Sequence, residues 1–293
     1  FPTRRSSDLL FGNSGGGGNA GCIGCVCVDG QKGSGFTSPG SGAASGDNFD
    51  IDFVAHEMGH QFGGNHTFSH NVEGSGVNVE PGSGSTIMGY AGVTNYDVQA
   101  HSNAYFHYVS IRQIEQNMLG KTCPLRTPLA NVAPVVNAGI NYTIPKSTPF
   151  VLTGSATDAN GDALTYCWEE TDSATTQTAA ASAASATKTA GPNWRSYTPV
   201  TSPSRYFPPI ARVAANASTT TGTAITVEAL SSVGRTLNFA LTARDNKVGG
   251  GLTSTDATVI TVNSTAGPFL VSTPNTAVSW AVGSNQTVTW AVA

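Results

Sequence analysis

Residues 56 to 66 read HEMGHQFGGNH, which sets three histidines, a glutamate and a glycine at fixed offsets. On a helix, His56 and His60 are four residues apart and project from one face. Two imidazoles so placed can take two corners of a metal tetrahedron. Glu57 leans toward the same cleft without being needed as a ligand; it is placed to take a proton from water that the metal holds. Gly63 can adopt the positive φ that a sharp exit from the helix requires, and the turned chain returns His66 as a third ligand. Three protein ligands leave one position for water, the arrangement of a catalytic rather than a structural zinc. The competing reading is a capped amphipathic helix with incidental histidines.

Other elements must hold these residues. The histidine helix is expected to start near Asp47, Asn48 or Asp50 as caps. Its buried stripe would be Ile51, Val54, Met58 and Phe62, and Gly63-Gly64 would stop it. Residues 12–48 are glycine-rich and read as loop with one short strand near Ile23 to Val28. Residues 67–100 read as irregular turns. A second helix is expected to open on a Ser110/Gln113 capping box, to bury Ile111, Ile114 and Met118, and to stop at Gly120. His70, His101 and His107 have no partner spacing and read as ordinary polar residues.

Beyond a proline-punctuated linker at 125–131 the texture changes. PFVLTGSATD, ALTYCWEE, TLNFALTARD and ATVITV alternate like strands, which predicts a β-sandwich over 132–265. Asn160-Gly161 is a hairpin signal. Residues 173–190 are low in complexity and read as a mobile loop inserted in that sandwich. Residues 266–293 read as the start of a second sandwich. Asp158, Asn160, Asp162 and Glu169 fall at the first, third, fifth and twelfth positions of a calcium loop. Ala163 stands where the loop glycine belongs, so the hairpin is the preferred reading and Ca2+ the lesser one.

Composition narrows the function classes. Charged residues make up 11% of the chain and the net charge is −4, so there is no basic field for nucleic acid. No apolar run approaches the ~20 residues of a membrane span. The 34 glycines and low charge suit secreted β-rich modules. Of the five cysteines, Cys22, Cys25 and Cys27 form a cluster without a second cluster to complete a zinc knuckle, so a structural bridge or loose thiols are favoured. Cys123 follows the second helix directly, and a disulfide from it to one of the upstream cysteines, Cys27 the favoured one, would pin that helix to the body of the domain. Cys167 is expected to stay unpaired.

With STIMGY and Met88 downstream, HEMGHQFGGNH resembles the extended zinc signature and methionine turn of the metzincin metallopeptidases. The resemblance covers about residues 48–124. It is greatest to bacterial secreted reprolysin-like (adamalysin-type) metalloproteases followed by PKD- or cadherin-like β-sandwich modules. It implies Zn2+ on His56, His60 and His66, Glu57 as general base, Met88 as an apolar floor, and Tyr90 as a group that steadies the tetrahedral intermediate. It implies protein or peptide substrates and a secreted or cell-surface location. The implied fold is an N-terminally truncated α+β metzincin-type catalytic domain over 10–124, followed by the immunoglobulin-like sandwich and the start of a second.

The opening FPTRRSSDL resembles the translation of a sequencing-adapter oligonucleotide, so residues 1–9 are expected to be foreign and the chain to be a fragment. At most one or two strands can precede the helix on this reading, with no edge strand to align a peptide for attack. The secreted zinc endopeptidase is therefore expected to have negligible activity in the chain as written. The alternative is an extracellular binding or adhesion protein whose sandwiches hold a partner and whose protease part is inert. Oligomeric state is left open.

Overall fold

The computed structural model describes residues 7–40, 42–124 and 127–293. The expectation of a foreign segment at 1–9 therefore lies largely outside the described residues, as do two residues of the expected linker. Leu9 itself is described, and it starts a strand. Three short strands, β1 (Leu9–Phe11), β2 (Gly17–Asn19) and β3 (Gly35–Ser38), form a sheet in the order β1-β3-β2. β1 runs parallel and β2 antiparallel to β3. This corrects the expectation of one or two strands. The strand expected at Ile23 to Val28 is instead a series of turns. That segment satisfies a helix end: Gly24 N–H donates to His60 O at 2.8 Å and Val26 N–H to Gln61 O at 3.2 Å, covering carbonyls that a helix C-terminus leaves without intrahelical donors.

The histidine helix comes in three parts: α1 (Asp47–Phe49), a π-helical stretch (Asp50–Ala55) and α2 (His56–Gln61). Gly46 precedes it with no side-chain cap, so the expected Asp or Asn cap is not used. The expected apolar stripe is also not the buried face. Met58 is 43% exposed, whereas Phe49, His56, Glu57, Gly59, His60 and Gln61 are buried. The wider π turn changes the angle per residue, so Ile51 and Val54 lose the phase they would share with Met58 and Phe62. Gln61 explains part of the polar burial, since its amide donates to Asp8 O at 2.8 Å and so ties α2 to the approach to β1.

The second helix, α3 (Tyr108–Leu119), has its N-cap three residues earlier than the capping-box reading. His107, 1% exposed, is its N-cap and accepts from Val109 N–H through Nδ1 at 3.3 Å. Tyr108 N–H donates to the Glu169 carboxylate at 2.9 Å. The orphan donors of this helix are thus met by a histidine and by a residue 61 positions away, rather than by Ser110 and Gln113. At its other end the Cys27–Cys123 disulfide joins the chain beyond α3 to the loop that caps α2; a second bridge joins Cys22 to Cys25.

The β region contains β4 (Val135–Asn137), β5 (Tyr142–Pro145), β6 (Phe150–Thr153), β7 (Ser155–Thr157), β8 (Thr165–Glu170), β9 (Ser204–Phe207), a short helix α4 (Ile210–Ala214), β10 (Thr219–Thr221), β11 (Thr226–Ala229), β12 (Arg235–Arg244) and β13 (Thr253–Asn263). Its main sheet has the order β5-β13-β12-β8, and β4–β7, β6–β9 and β10–β11 form pairs. Trp168, Trp194, Phe207, Phe239, Leu241 and Ile260 sit in one core. Asn160-Gly161 makes a turn, with Gly161 at φ 74, but β7 and β8 on either side pair with different strands. It is not a hairpin. Residues 266–293 contribute one pair, β14 (Phe269–Thr273) with β15 (Thr289–Val292), both exposed.

Residues 173–190 are not a loose insertion. Ala174, Ser182, Ala184 and Lys188 are buried, and Ala179–Ser182 forms a 3₁₀ turn. Small side chains let backbone groups approach closely here, so the segment is held by hydrogen bonds rather than by apolar bulk. Among the described residues, no helix is long and apolar enough to cross a membrane.

Candidate active site

α2 and the turn after it bring the three histidines together. Their Nε2 atoms lie 3.1 Å (His56–His60), 3.0 Å (His60–His66) and 3.3 Å (His56–His66) apart. Ligands ~2.0–2.1 Å from a tetrahedral zinc would be about 3.3–3.4 Å apart, so the triangle fits the ion with little adjustment. The far side of each ring is fixed. Nδ1 of His56 meets Ile87 O at 2.7 Å, that of His60 meets Gly64 O at 2.7 Å, and that of His66 meets the Glu73 carboxylate at 2.9 Å. Such acceptors hold the proton on Nδ1 and leave the Nε2 lone pairs converging. Burial, then the neighbouring rings, pushes His56 well below the usual histidine range and His66 down to about 3, and burial lowers His60. All three are neutral imidazoles at neutral pH, the form that ligates metal. Gly63, at φ 113, makes the turn that returns His66.

Met88 is fully buried. A Cβ added to Gly59 would fall on its sulfur, so the methionine packs directly against the helix at Gly59. Tyr90 lies with its ring centroid 5.5 Å from that of His56 and 4.6 Å from that of His66. Burial and then the acids Glu73 and Glu57 raise its phenol, which keeps it a proton donor.

Glu57 is 6% exposed, and its Oε2 has no hydrogen-bond partner. Burial raises its carboxyl to about 7, opposed by a backbone hydrogen bond from Ala20. It lines a cleft of about 810 Å³ together with His56, Phe49, Phe53, Tyr90 and the glycines 16–18. β2 is an edge strand of the upstream sheet and forms part of this wall. The absence of an edge strand, on which the expectation of negligible activity rested, does not hold.

The other sequence candidates are placed differently. Asp158 Oδ1 accepts from the N–H groups of Asn160 (2.8 Å) and Asp162 (3.0 Å), and Asp162 pairs with Lys247 at 2.7 Å. Glu169 is turned away into the contact with α3. The structure thus uses this acidic set for a local turn and an ion pair. Among the described residues, His56, His60 and His66 form the group whose ligand atoms converge. His101 pairs with Asp52 at 2.8 Å on the cleft wall, and His70 stacks near Phe68 and Tyr96, so neither is an isolated polar residue.

Sequence reasoning missed Glu73, which lies in an irregular loop seven residues after His66. It missed Glu80, whose buried carboxylate accepts from Thr67, Ser85 and Thr86. It also gave no reason for the glycine inside HEMGH, although Gly59 sits in the motif itself. Compared with curated proteins and with solved structures, the chain matches none. Residues 8–122 match the model of the reprolysin-like metallo-peptidase family M12B, a match that holds the whole His56–His66 motif, Met88 and Tyr90 and supports a metalloprotease.

Proposed function

We propose that the chain is a zinc-dependent endopeptidase of the metzincin class, acting on extended protein or peptide substrates outside the cell. The observation that carries this is the pairing of a preset imidazole triangle with a buried, partly unsatisfied carboxylate in one open cleft. His56, His60 and His66 would hold the ion. When bound, zinc supplies a Lewis acid that eases deprotonation of water and polarises the scissile carbonyl. Glu57 takes the proton from the attacking water and returns it to the departing amine. Its buried position beside His56 and its unpaired Oε2 leave it able to accept that proton. The Tyr90 phenol donates to the carbonyl oxygen as charge builds on it. β2 offers unpaired backbone groups at the sheet edge, on which a peptide can lie extended.

The two disulfides support an oxidising compartment. The strand pattern and core of 132–265 support an immunoglobulin-like accessory module. The test is casein cleavage by the purified chain with zinc stoichiometry measured alongside. Glu57→Gln should keep one zinc per chain and lose at least ~10²-fold in turnover. Wild-type turnover in that variant would refute the assignment, as would wild-type protein that retains no zinc.

A further inference from the structure

The family match ends at residue 122, but the contacts that hold the third histidine do not. His66 begins a loop that runs through Glu73 to Asn78. Asn78 is fully buried and bridges the loop on itself. Its amide donates to His66 O at 3.3 Å and to Phe68 O at 2.7 Å, and its Oδ1 accepts from Glu73 N–H at 3.2 Å. One side chain therefore fixes both the backbone of the ligand and the backbone of the carboxylate that orients it.

Asn78 is held in turn from the β region. Its N–H donates to Ser173 Oγ at 3.2 Å, and its carbonyl accepts from Ala174 N–H at 2.9 Å. A few residues on, Thr178 Oγ1 donates to His70 O at 2.5 Å and Ala179 N–H to the same oxygen at 2.8 Å. These four bonds grip both arms of the loop that carries Glu73. They come from the low-complexity segment that sequence reading assigns to a mobile loop. The loop's own residues are poorly suited to order it, since Gly74, Gly76 and the exposed Glu73 lie at its tip.

We propose that residues 173–179 of the β module clamp the loop of the third zinc ligand, with Asn78 as the positioning residue through which the clamp acts. The metal centre is then built by two parts of the chain, and zinc retention depends on the β module. This rests on the zinc reading above. A ligand whose backbone is free to move dissociates more often, so loss of the clamp appears first as faster zinc release.

The test uses the full chain loaded with zinc and measures release to an excess of a chromophoric chelator. Ser173→Ala combined with Thr178→Val removes the two hydroxyl bonds from the module side without touching the loop. It should release zinc roughly 10-fold faster, in line with the loss seen when partners outside a metal's ligands are removed. Asn78→Ala should release it at least as fast. Thr178→Ser alone keeps the hydroxyl and should behave as wild type. Near-ultraviolet circular dichroism of Trp168 and Trp194 reports whether the module core stays folded. Zinc release at the wild-type rate from the double variant, with that signal unchanged, overturns the proposal even if Asn78→Ala is fast. A wild-type chain that binds no zinc overturns the metal reading itself, so the two failures are distinguishable.

Discussion

Gly18 offers a direct test of where Glu57 must stand. It is the middle residue of β2, and its backbone is not in the left-handed region, so alanine there brings no backbone strain. A Cβ would lie 2.6 Å from Glu57 Cγ and 2.7 Å from Cδ, and closer still to Oε1. To restore ordinary contacts near 3.4 Å the Glu57 side chain must move by up to about 1 Å. Glu57 is 6% exposed and lines the cleft, so the shift carries its carboxyl away from its present position. A misplacement of about 1 Å in a reacting group costs on the order of 10²-fold in rate, or ~2.7 kcal/mol of barrier.

Gly18→Ala should therefore lower kcat/KM on a fluorogenic peptide by roughly 10²-fold while zinc content stays at one per chain. Gly40→Ala is the control. It lines the same cleft, but its Cβ would meet only Phe53 Cζ at an ordinary 3.5 Å, and its kinetics should stay near wild type. If Gly18→Ala turns over like wild type, Glu57 does not act from the position described here. If it also loses zinc, the damage is to the metal site and the reasoning fails in a different place.

Three further outcomes follow from the same geometry. Glu73→Gln removes the charged acceptor on His66 Nδ1 and should weaken zinc binding about 10-fold or more in chelator competition; unchanged affinity would deny Glu73 its orienting role. Burial, then the neighbouring Glu169, pushes the Cys167 thiol up to about 12, so it should resist maleimide in the native state and react once the chain is unfolded; fast native labelling would contradict its burial. Burial lowers the Lys188 amine from its usual 10.5 to about 8. The unfolded chain then binds more protons between those values, so this group makes stability rise with pH from about 8 upward. The difference in melting temperature between wild type and Lys188→Met should grow in favour of wild type from pH 7.5 to 9.5, and a flat difference would refute it.

The parts legible in the sequence are those fixed by near neighbours. His56, His60 and His66 converge because an i,i+4 pair and one glycine turn suffice, and all of it lies within one helix and its exit. β8, β12 and β13 show as alternation because one face meets the Trp168 core. What failed involves partners distant in sequence or hydrogen bonds without apolar weight. The N-terminus of α3 could not be read from Ser110 and Gln113 because its acceptor, Glu169, comes from β8. The stripe Ile51, Val54, Met58, Phe62 presumed one helical period, and a π turn breaks it. Residues 173–190 carry no hydrophobic pattern because their order comes from backbone groups and from alanines small enough to be buried without showing it.

The same reason accounts for buried charge in a chain where only 11% of residues are charged. Glu80, Glu169 and Glu228 are each no more than 1% exposed. A carboxylate buried without partners costs several kcal/mol, and each of these has partners: hydroxyl and amide donors on Glu80, the Tyr108 amide and Ser196 hydroxyl on Glu169, and Arg205 with Tyr197 on Glu228. Apolar contacts tolerate small slips, whereas a buried carboxylate fixes its donors to within hydrogen-bond distance. The donors on Glu80 are informative in this respect. Thr67 directly follows His66, and Thr86 stands two residues before Met88, so one carboxylate ties the chain beside His66 to the segment that carries Met88. Ser85 also donates to Glu80, and its hydroxyl lies 3.3 Å from Ser196 O in the β region. The segments that carry His66 and Met88 and the β region are therefore placed against one another through buried oxygen acceptors, and a shift in any one of them leaves Glu80 short of donors.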